Sequence, residues 1–357
     1  MGSIYERAEF TIAASHSPDS WQGLFLPRPE LPVVELPHFL EGQNISTQVF
    51  ATIRREQRDD TFPEHGHLSK RAWATQEWLL SRRIVFYTNG QIIWSCKTLT
   101  QRETGEKFYC TARNTRWKDI IELYSERLLT HPTDRLIALE GLKTEFEKKT
   151  GDSYRHGLWK NSLPDQLLWQ VTRKVLQPRN PLQLPSWTWA SIPCGIRFLR
   201  IDGAKSLCAS IKHHGHRQLI INAMLKQVEV LRENDTLQRT PSIITRDIQN
   251  SNAKQTVFLH RTLYTANGDH IGWVVFDLWV EKLASKSLFC LALMGSLSRR
   301  DEAKERRTGI TVSSKPREYW VLVLEPYKGT AHRRVGVGKI YRKEWWQDAP
   351  VQDVTLF

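Results

Sequence analysis

Apolar and polar positions divide the chain into two textures. Over residues 73–80, WATQEWLL, the apolar side chains recur at helical spacing. At 100° per residue, Trp73, Gln76, Glu77 and Leu80 share one arc of the helix and Trp78 lies opposite. The pattern predicts a helix that touches protein on both faces, with two polar residues in or beside an apolar stripe. A buried carboxylate without a partner costs several kcal/mol or takes up a proton. Glu77 therefore needs a partner, and Arg71, Arg82, Arg83 and backbone N–H groups are within sequence reach. The residues alone leave two readings of Gln76–Glu77: a clamp on neighbouring backbone, or a polar anchor and acid at a pocket.

The next run, RIVFYTNGQIIWSC, alternates like a strand pair. Ile84 and Phe86 face one side, Val85 and Tyr87 the other, and on the return Trp94 and Cys96 alternate with Ser95. Asn89-Gly90 between two apolar runs predicts a hairpin with a type I′ turn, which needs positive φ at both central residues.

Elsewhere in the first half, IYERAE reads as a helix end and FTIAAS as a strand, and the Pro-rich span from Trp21 to Pro37 reads as extended and irregular. WKDIIELYSERLL (117–129) carries Ile120, Ile121, Tyr124 and Leu128 at helical spacing. In HPTDRLIALEGL, Thr133 is an expected N-cap ahead of Asp134, and Gly151 an expected stop. LPDQLLWQV (163–171) reads as a short helix with Pro164 in its first turn.

A Pro-rich link at 177–185 precedes a different texture. PSWTWASI, SLCASIKHH, RQLIINAML, IGWVVFDLWV, LFCLALMG, YWVLVLEP and RRVGVGKIY are short and rich in Val, Ile, Leu and Trp, and read as strands. The polar spans 232–254 and 296–317 read as long hairpin loops. The expected organisation is α+β: residues 1–176 with helices and short strands, the link, and residues 186–357 as a mainly antiparallel, sandwich- or barrel-like sheet.

Composition refines this picture. Fourteen Trp in 357 residues demand a substantial ordered core. The net charge of +13 points to a nucleic-acid or anionic-membrane partner, or simply to a basic surface. The densest basic run, RRDEAKERR, mixes signs as a solvated segment does, and no helix-turn-helix, RNP or zinc pattern accompanies it. A nucleic-acid partner is therefore not expected, and a basic nucleic-acid-binding protein stands as an alternative. Five Cys without a C-x-x-C pair exclude a zinc ribbon and a disulfide framework, and fit a reducing, cytoplasmic setting. No secretory leader is visible at MGSIYERAEF, Glu6 replaces the Ser or Thr of a myristoylation signal, and no apolar run approaches the roughly 18 residues of a membrane span.

Other chemistry-bearing positions read blandly. His213, His214 and His216 in KHHGHR form a turn or bind a metal. Trp187 and Trp189 are expected on one face of a strand, as core. Asp277 interrupts an apolar face and is expected to be a bonded carboxylate. Ser81 and Ser186 lie outside any nucleophile elbow, and no G-x-G-x-x-G or Walker pattern calls for a nucleotide cofactor.

The 71–96 stretch resembles the R-G-W-T-x-Q-E-x-x-L-S-x-R-x-x-x-F…W-E-C signature of the fungal heterokaryon incompatibility (HET) domain family. Arg71, Trp73, Thr75, Gln76, Glu77, Leu80, Ser81, Arg83, Phe86, Trp94 and Cys96 match it, while Ala72 replaces the usual Gly and Ser95 the usual Glu. IYERAEFTIAAS and DSWQGLFLPR are similar to the family's I-Y-x-x-A…I-x-A and D-S-x-x-G-L-F-x-x-R elements. YSERLLTHPTDRLIALEGL, which contains Asp134, is similar to Y-S-x-R-x-L-T…D-[KR]-L-x-A-L-x-G. YRHGLWKNSLPDQLLW and LPSWTWASI, with Trp187 and Trp189, resemble the downstream elements, and YWVLVLEP and RRVGVGKI the C-terminal strands.

The resemblance covers nearly the whole chain, but the family's upstream A-L-S-Y-x-W-G and W-x-D-x-x-C-I-x-Q elements are not in it. A shortened α/β, TIR-like HET domain followed by a β-rich region is the implied fold, with apolar faces at FTIAAS and the 73–80 helix left partly uncovered. The implied role is non-catalytic interaction and signalling in non-self recognition and programmed cell death, through a protein partner such as another incompatibility protein, with no cofactor. The alternative is TIR-like NAD cleavage, in which Glu77 beside Trp73 is the weak catalytic candidate.

Overall fold

The 73–80 segment folds as the expected helix in a computed structural model that describes residues 2–27, 33–36, 49–52, 63–108, 116–175, 183–201, 203–230, 260–265, 267–278, 287–296, 307 and 316–357. The chain forms two compact units. One comprises Met1–Thr115, Arg127–Leu129 and Ala138–Leu142, and the other Arg116–Glu126, Thr130–Ile137 and Lys143–Phe357. This division falls earlier than the 177–185 link, most of which lies outside the described residues. The fold is α+β with mostly antiparallel sheets.

The first unit contains α1 (Gly2–Arg7), β1 (Thr11–Ala14), β2 (Val33–Leu36), β3 (Val49–Thr52), α2 (Trp73–Leu80), β4 (Arg83–Tyr87), β5 (Ile92–Cys96), β6 (Thr100–Arg102) and β7 (Lys107–Phe108). Its five-stranded sheet has the order β1-β4-β5-β6-β7, with β1 parallel to β4 and the other pairs antiparallel. Ile84 and Phe86 turn inward with Ala13, Trp78 and Ile93 to make a small core, as the period-2 alternation predicts. Trp78 and Phe86 meet edge to face at 5.3 Å.

The hairpin turn differs from expectation. Neither Asn89 nor Gly90 has positive φ. Thr88 closes the turn instead: its Oγ1 accepts from the N–H groups of Gly90 at 3.4 Å and Gln91 at 3.1 Å. A hydroxyl that takes up the turn's donors removes the need for a primed turn.

The second unit holds α3 (Trp117–Ser125), most of α4 (Glu140–Thr150), and strands β8 (Tyr154–Arg155), β9 (Leu158–Trp159), β10 (Trp169–Val171), β11 (Ile196–Phe198), β12 (Lys205–Ser206), β13 (Ser210–His214), β14 (Gln218–Val230), β15 (His260–Tyr264), β16 (His270–Phe276), β17 (Leu288–Ser296), β18 (Glu318–Pro326), β19 (His332–Ile340) and β20 (Val351–Leu356). β14 is long enough to serve four neighbours: β13 and β20 along its first half, then β17, then β15. The pairings β14-β17-β18-β19-β16-β15-β14 close a ring, so the sheet is barrel-like. Val228, Leu263, Val274, Cys290, Val321 and Ile340, one from each ring strand, belong to a single buried cluster. Glycine is required where β19 pairs with β16, because a Cβ at Gly338 would lie 2.2 Å from the Trp273 carbonyl oxygen.

Several sequence expectations need correction here. Leu128 lies beyond the end of α3 and is exposed. The Thr133 cap is absent: Pro132–Arg135 and Ile137–Leu139 are two 3-10 turns, and His131 stands at the N-cap position without a side-chain bond. Residues 163–171 form a 3-10 turn, Asp165–Leu167, and then β10, not a helix. PSWTWASI is no strand; Thr188 caps a 3-10 turn at Trp189–Ser191 through Ala190 N–H. Trp187 and Trp189 are nevertheless buried, as core residues should be. The spans 232–254 and 296–317 lie almost wholly outside the described residues.

Among the described residues, no helix is long and apolar enough to cross a membrane, no group of three or more His, Cys, Asp and Glu could hold a metal, and Cys96, Cys194, Cys208 and Cys290 are unbridged thiols.

Candidate functional site

The sequence motif centred on α2 builds a site in the first unit. A backbone hook fixes the helix start: Ala72 N–H donates to Leu128 O at 2.9 Å and Leu128 N–H to Lys70 O at 2.6 Å, which sets Arg71 beside Leu128. Gln76 is buried, and its Oε1 accepts the Gly141 N–H at 2.7 Å. Glycine gives this approach its room: a Cβ at position 141 would lie 2.7 Å from Gln76 Oε1 and 2.8 Å from Leu80 Cδ1, and those side chains would have to shift.

Ser81 ends the helix. It is buried, its Oγ donates to Glu77 O at 2.6 Å, and it lies 2.8 Å from Thr11 Oγ1, which ties β1 to the end of α2. Arg83 is an exposed partner of Glu9, with Nη1 to Oε2 at 3.3 Å. Trp94 and Cys96 are half-buried on the outer side of β5, and Cys96 Sγ contacts Thr98 Oγ1 at 3.2 Å. At the usual position of Glu in the signature, Ser95 makes a buried hydroxyl contact with Thr100 at 2.9 Å.

Glu77 is half-buried and lines a cavity shared with Tyr5, Ser15, Ser69, Trp78 and Arg127. The cavity encloses about 70 Å³, or about 450 Å³ with the open space at its mouth. Tyr5 lies beside Glu77; burial first, then the Glu77 charge, pushes its hydroxyl above the usual phenol value. Trp73 does not line the cavity; Trp78, from the other side of the helix, does. The wall of the cavity beside Glu77 is thus made by Tyr5, Arg127 and Trp78, with Trp73 outside it. Tyr5 and Arg127 sit in the I-Y-x-x-A and Y-S-x-R elements, but nothing in their own periodicity marked them as neighbours of Glu77. Their separation from it in sequence hides that.

The remaining motif residues lie in the second unit. Asp134 occupies the 3-10 turn beside Arg135, whose buried guanidinium donates from Nη2 to Cys194 O at 2.9 Å and lies 5.2 Å from the Trp189 ring centre. Trp187 Nε1 donates to Arg217 O and Trp189 Nε1 to Gly157 O, both at 3.1 Å. Asp277 is a bonded core carboxylate, held by Arg334. In KHHGHR, Lys212, His213 and His214 end β13, and Gly215–Arg217 form the hairpin tip before β14. No family model, curated protein or solved structure matches the chain.

Proposed function

We propose that the chain is a non-catalytic interaction and signalling protein of the fungal heterokaryon incompatibility type, working in non-self recognition and programmed cell death through a protein partner. The observation that carries this reading is the engagement of Glu77. Tyr5 of the same unit lies close enough to feel the Glu77 charge, and the space beside Glu77 is at the small end for a ligand pocket even with its mouth included. A dinucleotide needs far more enclosed room.

The motif residues also act on one another structurally. Gln76 of the first element holds Gly141 of the D-[KR]-L-x-A-L-x-G element, and Ser81 holds Thr11 of the I-x-A strand. Shared elements that clamp each other explain a signature without requiring chemistry from it. Exposed Phe10 and Ile12 on and beside the edge strand β1 fit a surface that meets another protein.

The alternative, TIR-like NAD cleavage, keeps one supporting observation, that Glu77 does face a cavity with an arginine in its wall. Incubating the purified protein with NAD separates the two. The signalling reading expects no release of nicotinamide, and growth arrest when the chain is overexpressed in a filamentous fungus. Turnover abolished by Glu77→Gln would overturn it in favour of the hydrolase.

A further inference from the structure

We infer that two hairpin tips in the second unit form a basic surface that receives an acidic, Glu- or Asp-rich segment of a partner protein. The inference rests on the geometry of these tips and is independent of the proposed function.

The first tip joins β8 to β9 through His156 and Gly157, at φ 48° and 94°. This is the backbone of a primed turn, where Asn or Gly is the usual first residue. Gly157 is obligatory, because a Cβ there would lie 2.6 Å from Trp189 Nε1. Histidine is among the residues enriched in the left-handed region, so it can hold this turn without glycine. The second tip is Gly215–Arg217, between β13 and β14.

Three consecutive carbonyls of the second tip each meet a side chain. Arg155 Nη1 donates to Gly215 O at 2.9 Å, His156 Nε2 meets His216 O at 2.6 Å, and Trp187 Nε1 donates to Arg217 O at 3.1 Å. The two tips are thereby locked together, and Arg155, His156, Lys160, His213, His216 and Arg217 are crowded into one place. After burial, the influences that hold His156 below the usual imidazole value are Arg155, Arg217 and His216; for His213 they are Arg155, His156 and Lys160. No carboxylate of the described residues is among these influences. Asp152, the acid nearest along the chain, accepts from the backbone N–H groups of Ser153 and Asn161.

Arg155, Lys160 and Arg217 are like charges held in one place; they repel, and a docked anion relieves that repulsion. Arg155, Lys160, His216 and Arg217 are exposed and available to it. A protein segment suits the surface better than nucleic acid: the aromatic ring here, Trp187, is 1% exposed and offers bases no stacking platform.

The test is fluorescence anisotropy of a labelled oligoglutamate titrated with the full chain. Expected is binding at low salt that weakens as salt is added, and at least tenfold weaker binding for Lys160→Glu and for Arg217→Glu, with Lys343→Glu as an unchanged charge-matched control. Lys160 is exposed and makes none of the carbonyl contacts, so K160E reads the surface even where R217E disturbs the tip; thermal melts check both. Three results would each overturn the proposal: no binding at low salt, equal weakening by Lys343→Glu, or tighter binding of duplex DNA or single-stranded RNA through the same residues.

Discussion

Arg334 clasps Asp277 in the interior of the β-rich unit, Nε to Oδ2 at 3.0 Å and Nη2 to Oδ1 at 3.1 Å, with both side chains shielded from solvent. The same guanidinium donates to the Leu167 and Trp169 carbonyls and lies 3.3 Å from the Trp169 ring centre. One side chain on β19 thus binds the end of β16 to the segment leading into β10. Removing one partner of such a pair leaves the other charge buried and costs about 3–5 kcal/mol, whereas replacing both by apolar residues costs far less. Arg334→Ala should therefore lower the denaturant midpoint sharply, and Arg334→Met with Asp277→Leu should recover much of the loss. A double variant as unstable as the single would contradict the burial of this pair.

The Gln76–Gly141 contact makes a prediction against helix propensity. Alanine is ordinarily better than glycine in a helix by about 1 kcal/mol. Gly141→Ala should instead destabilise the first unit, because its Cβ would crowd Gln76 Oε1 and Leu80. Gln76→Ala alone loses the hydrogen bond to the Gly141 N–H, at a cost of about 1–3 kcal/mol. Together the two substitutions should cost less than their sum, since removing the Gln76 amide makes room for the methyl group. Chemical denaturation of the four proteins in the cycle measures this.

Tyr5 reports on Glu77 directly. Its hydroxyl is raised by burial and by the Glu77 carboxylate. Glu77→Gln removes the charge, so one tyrosine should titrate at lower pH in the variant. Tyrosinate absorbance across an alkaline titration, with Tyr5→Phe to assign the step, gives the answer; an unchanged curve would mean that the two side chains do not meet.

Acid should loosen the second unit. Burial lowers the imidazoles of His156, His213, His270 and His332 below their usual value of 6.5. The unfolded chain therefore binds protons before the folded one does. The stability linked to these groups is present above about pH 6.5 and is lost as the pH falls through the depressed folded values. The melting temperature should drop between pH 7.5 and 5, with a shallower slope in His156→Asn, which keeps a side chain tolerant of positive φ. An identical slope in that variant would remove His156 from the account.

Local signals in the sequence were legible where local physics decides. The helix at Trp73–Leu80 and the inward pair Ile84 and Phe86 follow from periodicity, and the strands around Val274, Val321 and Ile340 from their short runs rich in Val, Ile, Leu and Trp. Turn chemistry was misread in both directions. Thr88 replaced the expected Asn89–Gly90 turn with a side-chain closure, while the positive-φ turn formed at His156–Gly157, where no Asn announced it. Trp187 and Trp189 alternate like strand residues but sit around a 3-10 turn, because Thr188 bonds Ala190 N–H and the two indoles find carbonyls elsewhere. At the site, Gln76 and Glu77 were visible as polar residues out of place. Their partners Gly141 and Tyr5 lie far away in sequence, and long-range pairing leaves no periodic trace.

The closure of β17 onto β14 has a mechanical consequence. A ring of strands offers no free end from which to peel, so the amides along Leu225–Val228 and their β17 partners should exchange with solvent only through rupture of the whole circle. Pulled or heated, that body should let go in one step, with Arg334 as a rivet released at the same moment as the hoop.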